Sequence, residues 1–218
     1  MNDQISAHPH IEVILKVGGS LLAYPEELDE VARVLGETQT TTSPLLIVPG
    51  GGPFADSVRE VDRAISLSDD AAHWMAILAM DHYALLLADR IRGAAITESL
   101  AESIAVATSG GVPILAPYRW LRSSDPLPHS WDVTSDSIAL WIAIQCRAHT
   151  LALVKSSPAA SRPFADAVDR FFDVLLSDHD QVMTWSGGRV GEPRPDVHLV
   201  SASGLAEILQ PRRQYLRR

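Results

Sequence analysis

Short β-branched and leucine-rich runs alternate along this chain with stretches whose apolar residues recur at helical spacing. Residues 11–17 read as a buried strand entering Gly18-Gly19-Ser20, and Pro25-Glu26-Glu27 opens a helix that continues to residue 35. A polar tract at 38–43 predicts a loop, after which residues 45–48 form a second strand that enters Pro49-Gly50-Gly51-Gly52-Pro53, followed by a helix at 54–65. Ser68-Asp69-Asp70 caps a long helix over 71–91, in which Ala72, Met75, Ala76, Ala79 and Met80 fall at helical spacing. A helix at 100–107 and Gly110-Gly111 precede a short strand at 112–115. Residues 117–131 are aromatic, proline-rich and too polar and broken for a core, so they are read as a substrate loop. Helices at 137–147, 165–176 and 204–209 and strands at 151–154 and 197–200 complete the pattern. Strands alternating with helices imply a mainly parallel sheet covered on both faces, a three-layer α/β/α sandwich.

At 218 residues, with 46% hydrophobic composition and a mean hydropathy of +0.07, the chain has material for one domain or two closely fused lobes. A formal charge of −9 argues against a surface for nucleic acid and favours a small-molecule partner. The single cysteine, Cys146, lies in an apolar stretch and reads as a buried structural thiol. The N-terminal residues lack a secretory pattern and no uninterrupted apolar run reaches membrane-spanning length, so a cytoplasmic enzyme is expected. His8 and His10 around Pro9, and the tail arginines Arg212, Arg213, Arg217 and Arg218, read as solvated.

Charge type adds a sharper clue. Of 18 basic side chains only Lys16 and Lys155 are lysines, and each ends a short apolar run. An ammonium is a compact charge on a flexible stem, suited to following a phosphoryl group between oxygens. Lys16 leads into Gly18-Gly19-Ser20, and a second glycine turn spans Gly50, Gly51 and Gly52. Both turns follow strands, which places them at the carboxyl ends where open α/β sheets bind ligands. Neither matches G-x-G-x-x-G, and neither ends in the G-K-[ST] of a P-loop. A tight turn uses glycine without any ligand, so the two turns alone leave both readings open.

The ordered set is more specific: Lys16-Val17-Gly18-Gly19-Ser20, then Val48 to Pro53, then Trp131-Asp132-Val133-Thr134-Ser135-Asp136-Ser137, then Val154-Lys155. It resembles the amino acid kinase family over roughly residues 11–155. Pro128-His129-Ser130-Trp131 is most similar to the small kinases of methanofuran biosynthesis, which phosphorylate an aminomethylfuran methyl phosphate with ATP. The resemblance implies an amino acid kinase fold in which residues 11–130 bind the acceptor and 131–218 the nucleotide. It implies catalytic roles for Lys16, Asp136 and Lys155, with Lys16 on the transferred phosphoryl group, Asp136 holding the lysines, and both Lys16 and Lys155 binding the ATP phosphates. Gly18, Gly19 and Ser20 would contact nucleotide phosphates, and Gly50, Gly51 and Gly52 the acceptor phosphate, with Trp131, Thr134 and Ser135 beside the substrate. ATP and Mg2+ would be the cofactors, Mg2+ held chiefly by the nucleotide, and a homo-oligomer is common in the family.

Other readings stand beside these. Thr134-Ser135-Asp136 before an apolar run is also a plain helix cap. Asp132 is a second choice for magnesium or a substrate amine, Asp69 or Asp70 is a partner for that amine on charge alone, and His73 and His129 are substrate contacts or ordinary packed histidines. The family's threonine-aspartate-valine-aspartate-glycine stretch is replaced here by Lys155-Ser156-Ser157-Pro158, which leaves a catalytically silent nucleotide or oxyanion binder as a rival. A kinase acting on a carboxylate or an isoprenoid phosphate is a second rival.

Overall fold

A computed structural model describes residues 10–38, 44–125, 127–177 and 194–210. His8, the tail arginines and most of the 38–43 tract lie outside the described residues. Six strands form one sheet: β1 (Val13–Val17), β2 (Leu45–Pro49), β3 (Ala94–Thr97), β4 (Val112–Leu115), β5 (Thr150–Val154) and β6 (Asp196–Val200). Their order is β3-β4-β2-β1-β5-β6 and every neighbouring pair is parallel. The α-helices among the described residues are α1 (Pro25–Glu37), α2 (Gly52–Ile65), α3 (Asp69–Arg90), α4 (Leu100–Thr108), α5 (Tyr118–Ser124), α6 (Ser135–Cys146), α7 (Ser157–Ala160), α8 (Phe164–Ala167), α9 (Arg170–Ser177) and α10 (Leu205–Ile208). The expected three-layer architecture is therefore observed.

Side-chain alternation in the central strands divides the core in two. Val13, Leu15 and Val17 of β1 join Ala152 and Val154 of β5 against Val31 and Leu35 of α1. Ile14 joins Leu151 and Leu153 against α6 and Phe172 of α9. Burying about 20 to 30 cal/mol for each Å² of apolar surface on both faces makes this central pair of strands the anchor of the fold. Five-residue strands buried at every position, as β1, β2 and β5 are, read as continuous apolar runs, which is why the sequence reveals them.

Several expectations need correction. β3, an Ala-Ala-Ile-Thr strand at the edge of the sheet, has weak β propensity, and the sequence pattern predicts no strand there. The 117–131 segment is not wholly outside the core: it contains α5, and Leu121 and Leu127 are buried in the α6-side cluster. The helix expected at 165–176 breaks between α8 and α9, where Asp169 accepts a hydrogen bond from the Phe172 amide and turns towards α6. Among the described helices, α3 does reach the length and apolarity of a membrane span, although it carries Asp81 and contributes Tyr83, Ala84 and Leu87 to the core. Cys146 is buried, and burial pushes its thiol up to about 12, as befits a structural residue.

Candidate active site

The site starts from strand parity. Lys16 lies two residues after Ile14, and Lys155 two after Leu153, so both side chains leave the sheet on the α6 face. β1 and β5 are adjacent, with Lys16 level with Leu153. The two ammonium groups therefore meet under the first turn of α6. Lys16 Nζ lies 2.8 Å from Asp136 Oδ1, and Lys155 Nζ lies 2.8 Å from Asp136 Oδ2. Lys155 Nζ also donates to the Ala167 carbonyl.

All three side chains are withdrawn from water, at 5% exposure for Lys16, 6% for Asp136 and 11% for Lys155. Burial alone would raise the Asp136 carboxyl, but the two lysines outweigh it and hold the group below the usual carboxylate range. Burial, and then the neighbouring Lys16 charge, lower the Lys155 ammonium from its ordinary value. Two cations and one anion leave the trio with a net positive charge. The Asp169 carboxylate at the start of α6 offsets part of that charge at Lys155, which leaves Lys16, the cation in the cavity wall, as the group placed to meet an anion.

Asp136 does not cap α6. Thr134 does, its side-chain oxygen accepting from the Asp136 amide, which leaves the Asp136 carboxylate for the lysines. The turn is fixed from outside by Asp169, which accepts from the amide and hydroxyl of Thr134, the amide and hydroxyl of Ser137, and the amide of Phe172. Sequence reasoning missed Asp169. An isolated aspartate between two short helices carries no motif, and its partners at the start of α6 lie more than thirty residues away.

The two glycine turns touch. A Cβ on Gly19 would fall 2.2 Å from Gly52 Cα, and one on Gly50 would fall 2.8 Å from the Gly19 nitrogen. Gly52 has a φ of +52°, so at that position glycine is required by conformation as well as contact. The turns are further tied to the sheet: the Gly18 amide donates to Val154 O at 2.7 Å, the Gly50 amide to Val17 O at 2.8 Å, and the Ser156 amide to Ser20 Oγ at 3.1 Å.

Beside the trio lies a cavity of about 370 Å³ between α2, α3 and the residues leading into α6. Lys16, Gly19, Ser20, Gly51 and Gly52 form part of its wall, and Trp131, Thr134, Ser135 and Asp136 another part. Gly18, Gly50 and Lys155 are not in that wall; they stand behind it, packing the turns and supporting Asp136. Sequence reasoning also missed Arg59, whose guanidinium lies 4.8 Å over the Trp131 ring, and Asp62, which accepts from Trp131 Nε1 at 2.8 Å. Arg59 and Asp56 are one α2 turn apart, a spacing that alone reads as a solvated ion pair. Asp132 stands outside the cavity, 3.7 Å from Arg170.

His73 lines the cavity and stacks on His129, centroids 4.1 Å apart and planes 20° apart. His129 is hydrogen-bonded to Asp70 and Asp125, which outweigh its partial burial and raise its pKa. Burial, followed by the His129 charge, lowers His73 to about 4, so the ring facing the cavity is neutral at physiological pH. His73, Asp125 and His129 bring ligand-type atoms within 4.8 Å of one another. Both ring nitrogens of His129, however, are already engaged by Asp70 and Asp125.

Residues 12–159 match the model of the amino acid kinase family. The chain belongs to this family. A further match is to [5-(aminomethyl)furan-3-yl]methyl phosphate kinase of Methanocaldococcus jannaschii, 33% identical over 129 residues, which are 59% of this chain and 58% of that protein. The matched region thus spans less than two thirds of that relative. Uridylate kinase from Archaeoglobus fulgidus superposes with a TM-score of 0.57 over 91% of this chain and 95% of that one, at 16% identity, which establishes a shared amino acid kinase fold. The family expectation drawn from the lysines, glycine turns and Asp136 is thereby borne out.

Proposed function

We propose that this chain is an ATP-dependent kinase that transfers the γ-phosphoryl group to the phosphate of a small monoester, most specifically an aminomethylfuran methyl phosphate. An oxygen of the acceptor phosphate attacks the γ-phosphorus, the bond to the β,γ-bridging oxygen breaks, and ADP leaves with that electron pair. Phosphoryl transfer asks the protein mainly for in-line placement and positive charge on the equatorial oxygens. The observation that carries the reading is the buried Lys16–Asp136–Lys155 trio, with Lys16 and Asp136 in the cavity wall. In this reading Asp136 aims Lys16, Lys155 supports Asp136 from behind, and the Gly51-Gly52 turn receives the acceptor phosphate. Residues 11–130 then supply chiefly the acceptor side and 131–218 the nucleotide side. ATP brings Mg2+ with it and supplies most of the metal's ligands.

The cavity wall combines Arg59, Asp69 and His73 with Ile77, Met80 and Ile138, so it is compatible with a polar acceptor and with an isoprenoid phosphate alike. A panel of phosphate and carboxylate acceptors scored by ADP release separates these substrates. Lys16→Met leaves Asp136 paired with Lys155, so the fold should persist while turnover falls by about a thousandfold. Turnover within tenfold of the parent would refute the mechanism. The Lys155-Ser156-Ser157-Pro158 sequence after β5 favours the second reading, a silent oxyanion binder; calorimetry with a non-hydrolysable ATP analogue followed by ADP release distinguishes the two. A cytoplasmic location and a homo-oligomer belong to the same proposal. Met75, Leu78 and Leu85 are exposed apolar residues on α3, as is Ile65 of α2, a surface suited to a second copy, which light scattering would detect.

A further inference from the structure

The cavity has two chemically distinct ends. Along α3 its wall is one stripe, Asp69, Ala72, His73, Ala76, Ile77 and Met80, at three- and four-residue spacing. Tyr83, a turn beyond Met80, donates to the Gly18 carbonyl at 3.3 Å, so the Met80 end lies against the glycine turns and Lys16. Asp69 lies at the other end, about 16 Å along the helix at 1.5 Å per residue. That span exceeds the length of an acceptor made of one five-membered ring with two one-carbon arms, and leaves depth for a donor phosphoryl group.

Among the described residues three carboxylates stand in the wall: Asp56, Asp69 and Asp136. Asp136 is held by two lysines and Asp56 by Arg59 at 2.8 Å. Asp69 has no hydrogen-bond or ion-pair partner among the described residues. Its neighbour Asp70 is bound to His129 and is not in the wall. A solvated carboxylate facing a cavity whose far end is cationic makes the site dipolar. It matches a ligand with an anion at one end and a cation at the other.

We propose that Asp69 is the specificity-determining residue for a cationic amine on the acceptor, which binds with its ammonium at Asp69 and its phosphate towards Lys16. This rests on the phosphate-monoester reading above and deepens it by assigning the one side chain that selects the amine. Asp70, equally plausible from charge alone, is occupied by His129.

The test uses two probes, aminomethylfuran methyl phosphate and the same molecule with methyl in place of aminomethyl, titrated calorimetrically into the parent chain, Asp69→Asn and Asp70→Asn. The parent should bind the amine about tenfold more tightly than the methyl analogue. Asp69→Asn should abolish that preference while its affinity for the analogue stays within about twofold, and Asp70→Asn should keep it. Asp69 also sits in the first turn of α3, but loss of that helix-end charge would affect both titrations alike. An Asp69→Asn chain that still prefers the amine, or that loses both ligands equally, would overturn the proposal. Binding needs no turnover, so ADP release tests the kinase reading separately. Asp69-dependent amine binding without ADP release supports the inference and defeats the kinase. ADP release at equal kcat/KM for both probes defeats the inference and leaves the kinase standing.

Discussion

Replacing Asp136 with Asn removes the one negative charge between two buried ammonium groups without changing side-chain volume. Both lysines lie 2.8 Å from opposite oxygens of the same carboxylate; two ammonium groups on the order of 5 Å apart at an effective dielectric of about 20 repel by ~3 kcal/mol. Loss of one partner from a buried ion pair typically costs about 3 to 5 kcal/mol, which agrees. At roughly 2 to 4 °C per kcal/mol for a chain of this size, Asp136→Asn should melt about 10 °C below the parent at pH 7. The deficit should shrink as pH rises. A lysine whose folded pKa lies below its unfolded value destabilises the fold while charged, and the folded state sheds that proton first, so the unfolding free energy climbs through that window. Lys155, already lowered in the parent by burial and by Lys16, is the group expected to release its proton. Thermal melts from about pH 7 to about pH 9.5 of the parent, Asp136→Asn and Asp136→Asn/Lys155→Met provide the assay, with the double variant recovering most of the loss because one cation then remains. A single variant within about 1 kcal/mol of the parent at pH 7, or a double variant no better than the single, would refute the electrostatic account.

Gly19→Ala would place a Cβ 2.2 Å from Gly52 Cα, so the two turns must separate; a loss of about 2 kcal/mol or more is expected, and an unchanged melting temperature would show that the turns are not held in contact. Asp169→Ala strands five donors at and beyond the start of α6 and should cost about 3 kcal/mol, with faster amide exchange at Ser137 as the local signature. His73 is lowered to about 4 by burial and by His129, so the folded state resists its protonation and stability should fall as pH drops from about 6.5 towards 4. In His73→Gln that acid loss should be smaller; Asp81, raised by burial to about 6, pulls the other way in the same window but is common to both chains and cancels in the difference. Parallel melting profiles for the two chains would contradict the assignment.

The local chemistry is legible in the chain itself. β1, β2 and β5 are uninterrupted apolar runs, the glycine turns follow two of them, and Lys16 and Lys155 each continue the strand parity that faces α6. Asp136 stands out as a polar residue at the start of an otherwise apolar helix, with capping and lysine-holding both open; Thr134 takes the cap because its hydroxyl reaches the helix amide. Those features depend on neighbours in sequence, which periodicity and turn chemistry encode directly.

What the sequence by itself determined was the alternation of strands and helices, the glycine turns at strand ends, and which residues carry charge. Only the tertiary structure decided that β5 lies beside β1, so that residues 139 positions apart share one carboxylate. It also decided that Asp169 secures α6, that Lys155 stands behind the wall while Arg59 and Asp69 stand in it, and that Asp70 is spent on His129. The physical reason is that strand order and side-chain pairing across long separations are chosen by burial of two faces of a sheet at once. No local window of residues contains that choice.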